Sequence, residues 1–210
     1  MSRVIKISLS ISICLSMVVS MLVFAADCQK ETINNAGNVS NDDVYISEVL
    51  TYNEMVQRYA DNADISFGEA LKYFPGTHNV SPGATYRELQ VTLDVDTNYK
   101  PKLSFYCETS QYSPFPYWGI VSIYSVQLIR NYDGISKQFN GNVDAWLRTA
   151  SQIEYVINGD FYDNGTTTDG FPVGRKGKIN DKITCAFTTS FLTNPKNFKY
   201  FYEHIFYNFQ

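Results

Sequence analysis

After Gly83 the spacing of apolar residues in this chain changes from 3.6 to 2, and the shorter period then recurs almost to the end. Leu89, Val91, Leu93 and Val95 alternate with Glu88, Gln90, Thr92 and Asp94. Leu103, Phe105 and Cys107 alternate with Ser104 and Tyr106, and Ile183, Cys185 and Phe187 alternate with Thr184, Ala186 and Thr188. Gln152–Ile157 starts the same way. Each segment reads as a half-buried strand, apolar toward a core and polar toward solvent. Trp118–Ile129 is longer and more apolar, and reads as a central strand. Phe198–Phe209 is aromatic on both phases, through Tyr200, Phe201, Tyr202, Phe206 and Tyr207, and reads as a closing strand packed on both sides.

Turn chemistry supports the pattern. Asp133-Gly134, Asn140-Gly141 and Asn164-Gly165 stand beside these segments, and such dipeptides favour the positive φ of tight hairpins. The reading is mainly β, with about eight strands in an antiparallel, β-sandwich-like domain over residues 84–210.

Upstream the period is helical. Thr51-Tyr52-Asn53-Glu54 has the form of a capping box, followed by Met55, Val56 and Tyr59, and predicts a helix over 52–62. Ser66-Phe67-Gly68-Glu69 repeats the box ahead of Ala70, Leu71 and Phe74, and Pro75-Gly76 stops it. Residues 47–76 therefore read as a short helical hairpin that packs on or caps the β body.

The first residues read as an address. Arg3 and Lys6 precede an uncharged, mostly apolar run, and Val23-Phe24-Ala25 suits cleavage after Ala25, so residues 1–25 read as a signal peptide. Residues 26–46 are polar and Asn-rich, and read as a flexible leader. The chain is then expected to be secreted or held at the cell surface, with no stable membrane span after cleavage. Cleavage takes the formal charge from −4 to −6 by removing Arg3 and Lys6, and the acidic balance argues against a nucleic-acid partner. Of the four cysteines, Cys14 leaves with the signal peptide. Cys107 and Cys185 fall on the core side of their strands, which makes them disulfide candidates in an oxidising compartment and leaves Cys28 in the tail.

The familiar catalytic patterns are missing. No Gly-x-Ser-x-Gly, His-Glu-x-x-His, Cys-x-x-Cys or phosphate-binding glycine loop occurs, and the only histidines are His78 and His204. No metal or cofactor is expected. Asp94-x-Asp96-x-Asn98 begins like a calcium loop, but Tyr99 replaces the required glycine. Glu154, Asp160 and Asp163 are the carboxylates a hydrolase would draw on.

The aromatic residues say more. Tyr112-Ser113-Pro114-Phe115-Pro116-Tyr117-Trp118 is a Pro/aromatic loop between two strands. Trp146 lies between Asp144 and Arg148 on a polar phase, Tyr106 lies on an outer phase, and Tyr132 adjoins a turn. Flat rings beside polar groups hold ligands with one apolar face, such as sugars and peptides, although the same rings also pack well in sheets. Tyr112, Tyr117, Trp118, Tyr132 and Trp146 are the ligand-contact candidates. The leading expectation is a secreted or surface-associated, non-enzymatic binding protein that takes a glycan or peptide. A carboxylate-based hydrolase and an exported toxin or inhibitor are the alternatives.

The stretches LTYNEMVQRYADNADISFGEALKYFP and QIEYVINGDFYDNGTTT resemble those of small exported bacterial proteins in which a signal peptide precedes a two-helix segment and a β-rich body. The resemblance covers most of residues 48–170. It implies export and one compact domain, and carries over no catalytic residue.

Overall fold

The computed structural model describes residues 44–74, 83–112, 117–170 and 176–209. The expected signal peptide, nearly all of the leader, Cys28, His78 and the loop 113–116 lie outside the described residues.

Four strands form the first sheet: β1 (Val44–Ile46), β2 (Thr85–Thr92), β3 (Lys102–Tyr112) and β4 (Tyr117–Ile129), in the order β1-β2-β3-β4. A two-residue ribbon, β5 (Asn131–Tyr132) with β6 (Ile135–Ser136), leads on to the second sheet. That sheet holds β7 (Gln138–Thr149), β8 (Gln152–Tyr162), β9 (Thr166–Gly170), β10 (Lys182–Ser190) and β11 (Asn197–Asn208), in the order β11-β8-β7-β10-β9. Every strand pairing is antiparallel. The fold is mainly β with a sandwich-like body, as the alternation predicts. Residues 44–46, placed in the leader by composition, add a short strand to β2.

The apolar phases meet between the sheets. Leu89, Phe105 and Val126 of one sheet share a buried cluster with Phe139, Ile157 and Ile183 of the other.

A second core sits on the opposite face of the first sheet. Helix α1 (Tyr52–Ala63) begins at Thr51, whose hydroxyl accepts from the Glu54 amide while the Glu54 carboxylate accepts from the Thr51 amide. Helix α2 (Phe67–Ala70) has the same reciprocal cap at Ser66 and Glu69, and continues as a 3-10 turn, Leu71–Tyr73. Met55, Val56, Tyr59 and Phe74 of this hairpin pack on Tyr86, Tyr106 and Tyr124 of the sheet. The molecule therefore has three layers, with the four-stranded sheet covered on both faces.

This layering corrects three expectations. Tyr106 was assigned to an exposed phase, but it is buried, because the helical hairpin lies over it. Its hydroxyl donates to Gln127 Oε1 at 2.6 Å and accepts from Asn62 Nδ2 at 2.9 Å. β4 is long and apolar because both faces are covered, yet it ends its sheet rather than lying at its centre. Its outer edge is met at Ile123, which exchanges two backbone hydrogen bonds with Gly177. β11 is the expected strand but is packed on one face only. Tyr200, Tyr202 and Phe206 remain 57%, 51% and 52% exposed.

The buried carboxylates beneath the hairpin are satisfied. Glu88 accepts from Asn62, Gln90 and Ser104 at 2.6–2.8 Å, with Arg58 3.5 Å away. Glu108 accepts from Tyr124 at 2.8 Å and pairs with Lys176 at 3.2 Å. These bonds tie the helical layer and the segment near Gly177 to the first sheet.

The expected Cys107–Cys185 disulfide is not formed. Both thiols are buried and free. Cys107 pairs in register with Ile123, whereas the Cys185 sulfur lies 3.8 Å from the carbonyl of Val126, whose own cross-strand partner is Phe105. The two cysteines are thus offset along the sandwich by about two residues, roughly 7 Å, while a disulfide needs its Cβ atoms within about 4 Å. Asn140-Gly141 is also not a turn, because β7 runs straight through it.

Candidate functional site

Among the described residues the helices cover the first sheet and nothing is layered on the outer face of the second. Side chains of opposite phase line that face in cross-strand rows, because facing residues of an antiparallel ladder point the same way. One row runs Lys182, Trp146, Glu154, Phe206 across β10, β7, β8 and β11. The next runs Thr184, Asp144, Val156, His204, and the third runs Ala186, Asn142, Asn158, Tyr202. Asp160 and Tyr200 pair beyond these rows.

Glu154 anchors the first row. Its side chain is 8% exposed and is held between the Arg148 guanidinium and the His204 ring, whose Nε2 is 2.8 Å from Oε1. Burial alone would push this carboxyl up, but the Arg148 bond and then the His204 bond outweigh it and hold it below the usual glutamate value. Trp146 is the cross-strand neighbour of Glu154 on β7. Arg148 and Lys182 flank its ring at 5.3 and 5.1 Å from the centroid, and the His204 and Phe206 rings lie 5.4 Å apart.

Around this pair of rings the polar groups are fixed by neighbours. Asp144 accepts from Thr184 at 2.6 Å and pairs with Lys182 at 2.8 Å. Tyr200 donates to Asn158 Oδ1 at 2.9 Å, and Asn197 donates to Asp160 Oδ1 at 3.1 Å. Asn142, Asn158 and Tyr202 stay exposed between them. The result is a flat surface of half-exposed rings interleaved with amides and carboxylates, carried on paired strands that fix its spacing.

The sequence-derived candidates are divided by the fold. Trp146 is on this face. Trp118 is on β4, half-buried against the inter-sheet core, with the Arg87 guanidinium 4.9 Å from its ring centroid. Tyr132 packs on the same core from the β5–β6 ribbon. The side chains of Tyr112 and Tyr117 lie outside the described residues. Trp118 and Trp146 belong to different sheets and do not share a surface.

Tyr200, Tyr202, His204 and Phe206 were missed as a set. Their signal is present, since Phe201, Ile205, Tyr207 and Phe209 mark the inner phase, but the charged Lys199 and Glu203 on that phase blur it. The candidate acids are not brought together. Glu154 and Asp160 lie on one strand six residues apart, roughly 20 Å along it, against the 5–10 Å of paired glycosidase carboxylates. Asp163 lies past the strand end and pairs with Lys137. Among the described residues no three His, Cys, Asp or Glu side chains gather as a metal site would require, and no helix is long and apolar enough to cross a membrane.

Comparison with protein-family models, characterised proteins and solved structures finds no match to this chain.

Proposed function

We propose that this chain is an exported, non-enzymatic binding protein that holds a glycan on the outer face of its second sheet. The observation that carries this reading is the row of Trp146, Glu154 and Phe206, with Arg148 and His204 fixing the carboxylate between the two aromatic positions. A sugar ring offers one apolar face for stacking and a rim of hydroxyls for side-chain amides and carboxylates. The face supplies both. It favours a glycan over an extended peptide, because the backbone groups of β7 and β8 are consumed in their ladders and only side chains can bond a ligand lying on them.

Retention on a panel of immobilised cell-surface and cell-wall glycans tests the reading. The wild type should be retained by at least one class, and Trp146→Ala and Tyr202→Ala should each lose at least tenfold in affinity while melting normally. Absence of retention by every glycan, or retention untouched by both substitutions, rejects it.

A further inference from the structure

β11 is a long end strand whose far edge no other strand among the described residues occupies. The other three sheet ends differ: β1 has 3 residues, β9 has 5, and β4 is met by Gly177. An open edge of 12 residues is a template for strand addition unless something discourages it.

Two inward charges sit on that edge. Lys199 and Glu203 share the inner phase of β11, two residues either side of Phe201. Glu203 is half-buried, accepts from Tyr155 Oη at 2.7 Å, and has no cation beside it among the described residues. Burial, with Asp94 nearby, pushes its carboxyl up. Lys199 is half-exposed and reaches Asp96 only at 3.5 Å. A lone inward charge discourages pairing at an edge. Two of opposite sign, placed symmetrically, discourage every register but one.

The geometry points to a homodimer in which β11 pairs antiparallel with β11 of a second copy about a two-fold axis at Phe201. Facing residues of a ladder must point to the same side, so odd positions face odd positions. Of these registers, the one centred on Phe201 sets Lys199 opposite the partner's Glu203, and does so twice. Centring on Lys199 or on Glu203 opposes like charges, and any other register leaves the half-buried carboxylate facing a neutral residue. In the favoured register Tyr200 faces the partner's Tyr202 on the outer surface, where both rings are now more than half exposed. The two five-stranded sheets would then run on as one of ten strands. This interface stands whether or not the open face binds a glycan.

Sedimentation velocity over a range of concentration tests it. The wild type should dimerise in the micromolar range. Lys199→Glu and Glu203→Lys should each weaken association at least tenfold, and the double exchange K199E/E203K should restore it to within about threefold. Amide exchange along β11 in the wild type should slow as concentration rises. Lys199 is exposed enough for its reversal to fold, so K199E decides the matter even where Glu203→Lys does not fold. A wild type that stays monomeric to millimolar concentration overturns the proposal. So does a dimer indifferent to K199E, or one that a folded double exchange fails to restore.

Discussion

Gly141 and Gly159 stand opposite each other in the β7–β8 ladder, and the ring of Phe139 fills the space that their side chains would take. A Cβ on Gly159 would come within 2.4 Å of the Asn140 carbonyl and 2.7 Å of the Phe139 ring, and one on Gly141 within 2.3 Å of the Asn158 carbonyl. The Phe139 ring is itself fixed, with Phe161 at 4.8 Å and Phe187 at 5.5 Å between centroids. Backbone atoms cannot yield as a side-chain tip can. Gly159→Ala should therefore destabilise the fold by about 3 kcal/mol, the upper end of overpacking costs. Gly68→Ala is the control, because nothing lies within 4 Å of its added methyl and α2 gains helix propensity. Urea unfolding of the two variants should move in opposite directions or leave Gly68→Ala unchanged.

The two tryptophans should separate stability from binding. Trp118 packs on the inter-sheet core, so Trp118→Ala should lower the unfolding free energy by about 2–4 kcal/mol and leave glycan retention intact once folded. Trp146 packs on the outer face beside Arg148 and Lys182, so Trp146→Ala should do the reverse. Equal effects of both substitutions on retention would contradict this division.

Glu154 makes acid stability a test of the site. Its folded-state carboxyl lies below its unfolded value, so its contribution is present above the usual glutamate range and fades as pH falls through the lowered value. Glu154→Gln should cost about 1–3 kcal/mol at neutral pH by removing a charged acceptor from Arg148 and His204. It should also make the acid limb of the stability profile shallower, measured by denaturant melts between pH 3 and pH 7. A variant with the wild-type slope would show that Glu154 is not the group titrating.

Burial pushes both core thiols well up, so neither offers a thiolate at neutral pH. Alkylation of the native, unreduced protein should leave Cys107 and Cys185 unmodified. In denaturant, still without reductant, both should take up label, as peptide mass mapping would show. Label-resistant cysteines in denatured protein would mean that they are bonded.

Local chemistry was the most legible part of the chain. Both capping boxes form as written, because Thr51 with Glu54 and Ser66 with Glu69 need only their own turn to be satisfied. Asp133-Gly134 also turns as expected, with φ of 49° and 78°. Asn140-Gly141 has the same look but a different purpose, since its glycine is there for close approach within a strand. What alternation could not convey is which polar phase meets water. Ser104, Tyr106 and Glu108 form the polar phase of β3 and are buried under or beside the hairpin, while the polar phase of β8 beyond the buried Glu154 is half-buried or exposed. Only the placement of the helices distinguishes them, and that is a tertiary fact. The same limit explains why alternation alone puts Tyr106 at the surface and does not single out Tyr202.

Successive residues of β8 answer to separate demands. Ile153, Tyr155, Ile157 and Phe161 are committed to the interior, whereas Val156, Asn158 and Asp160 between them face outward and, among the described residues, support no second layer. Substitutions at the outward positions can change the chemistry of the surface at little cost to folding. A lineage carrying this scaffold is free to vary that surface while its interior stays constant, so sequence divergence should concentrate on alternate residues of β7, β8, β10 and β11.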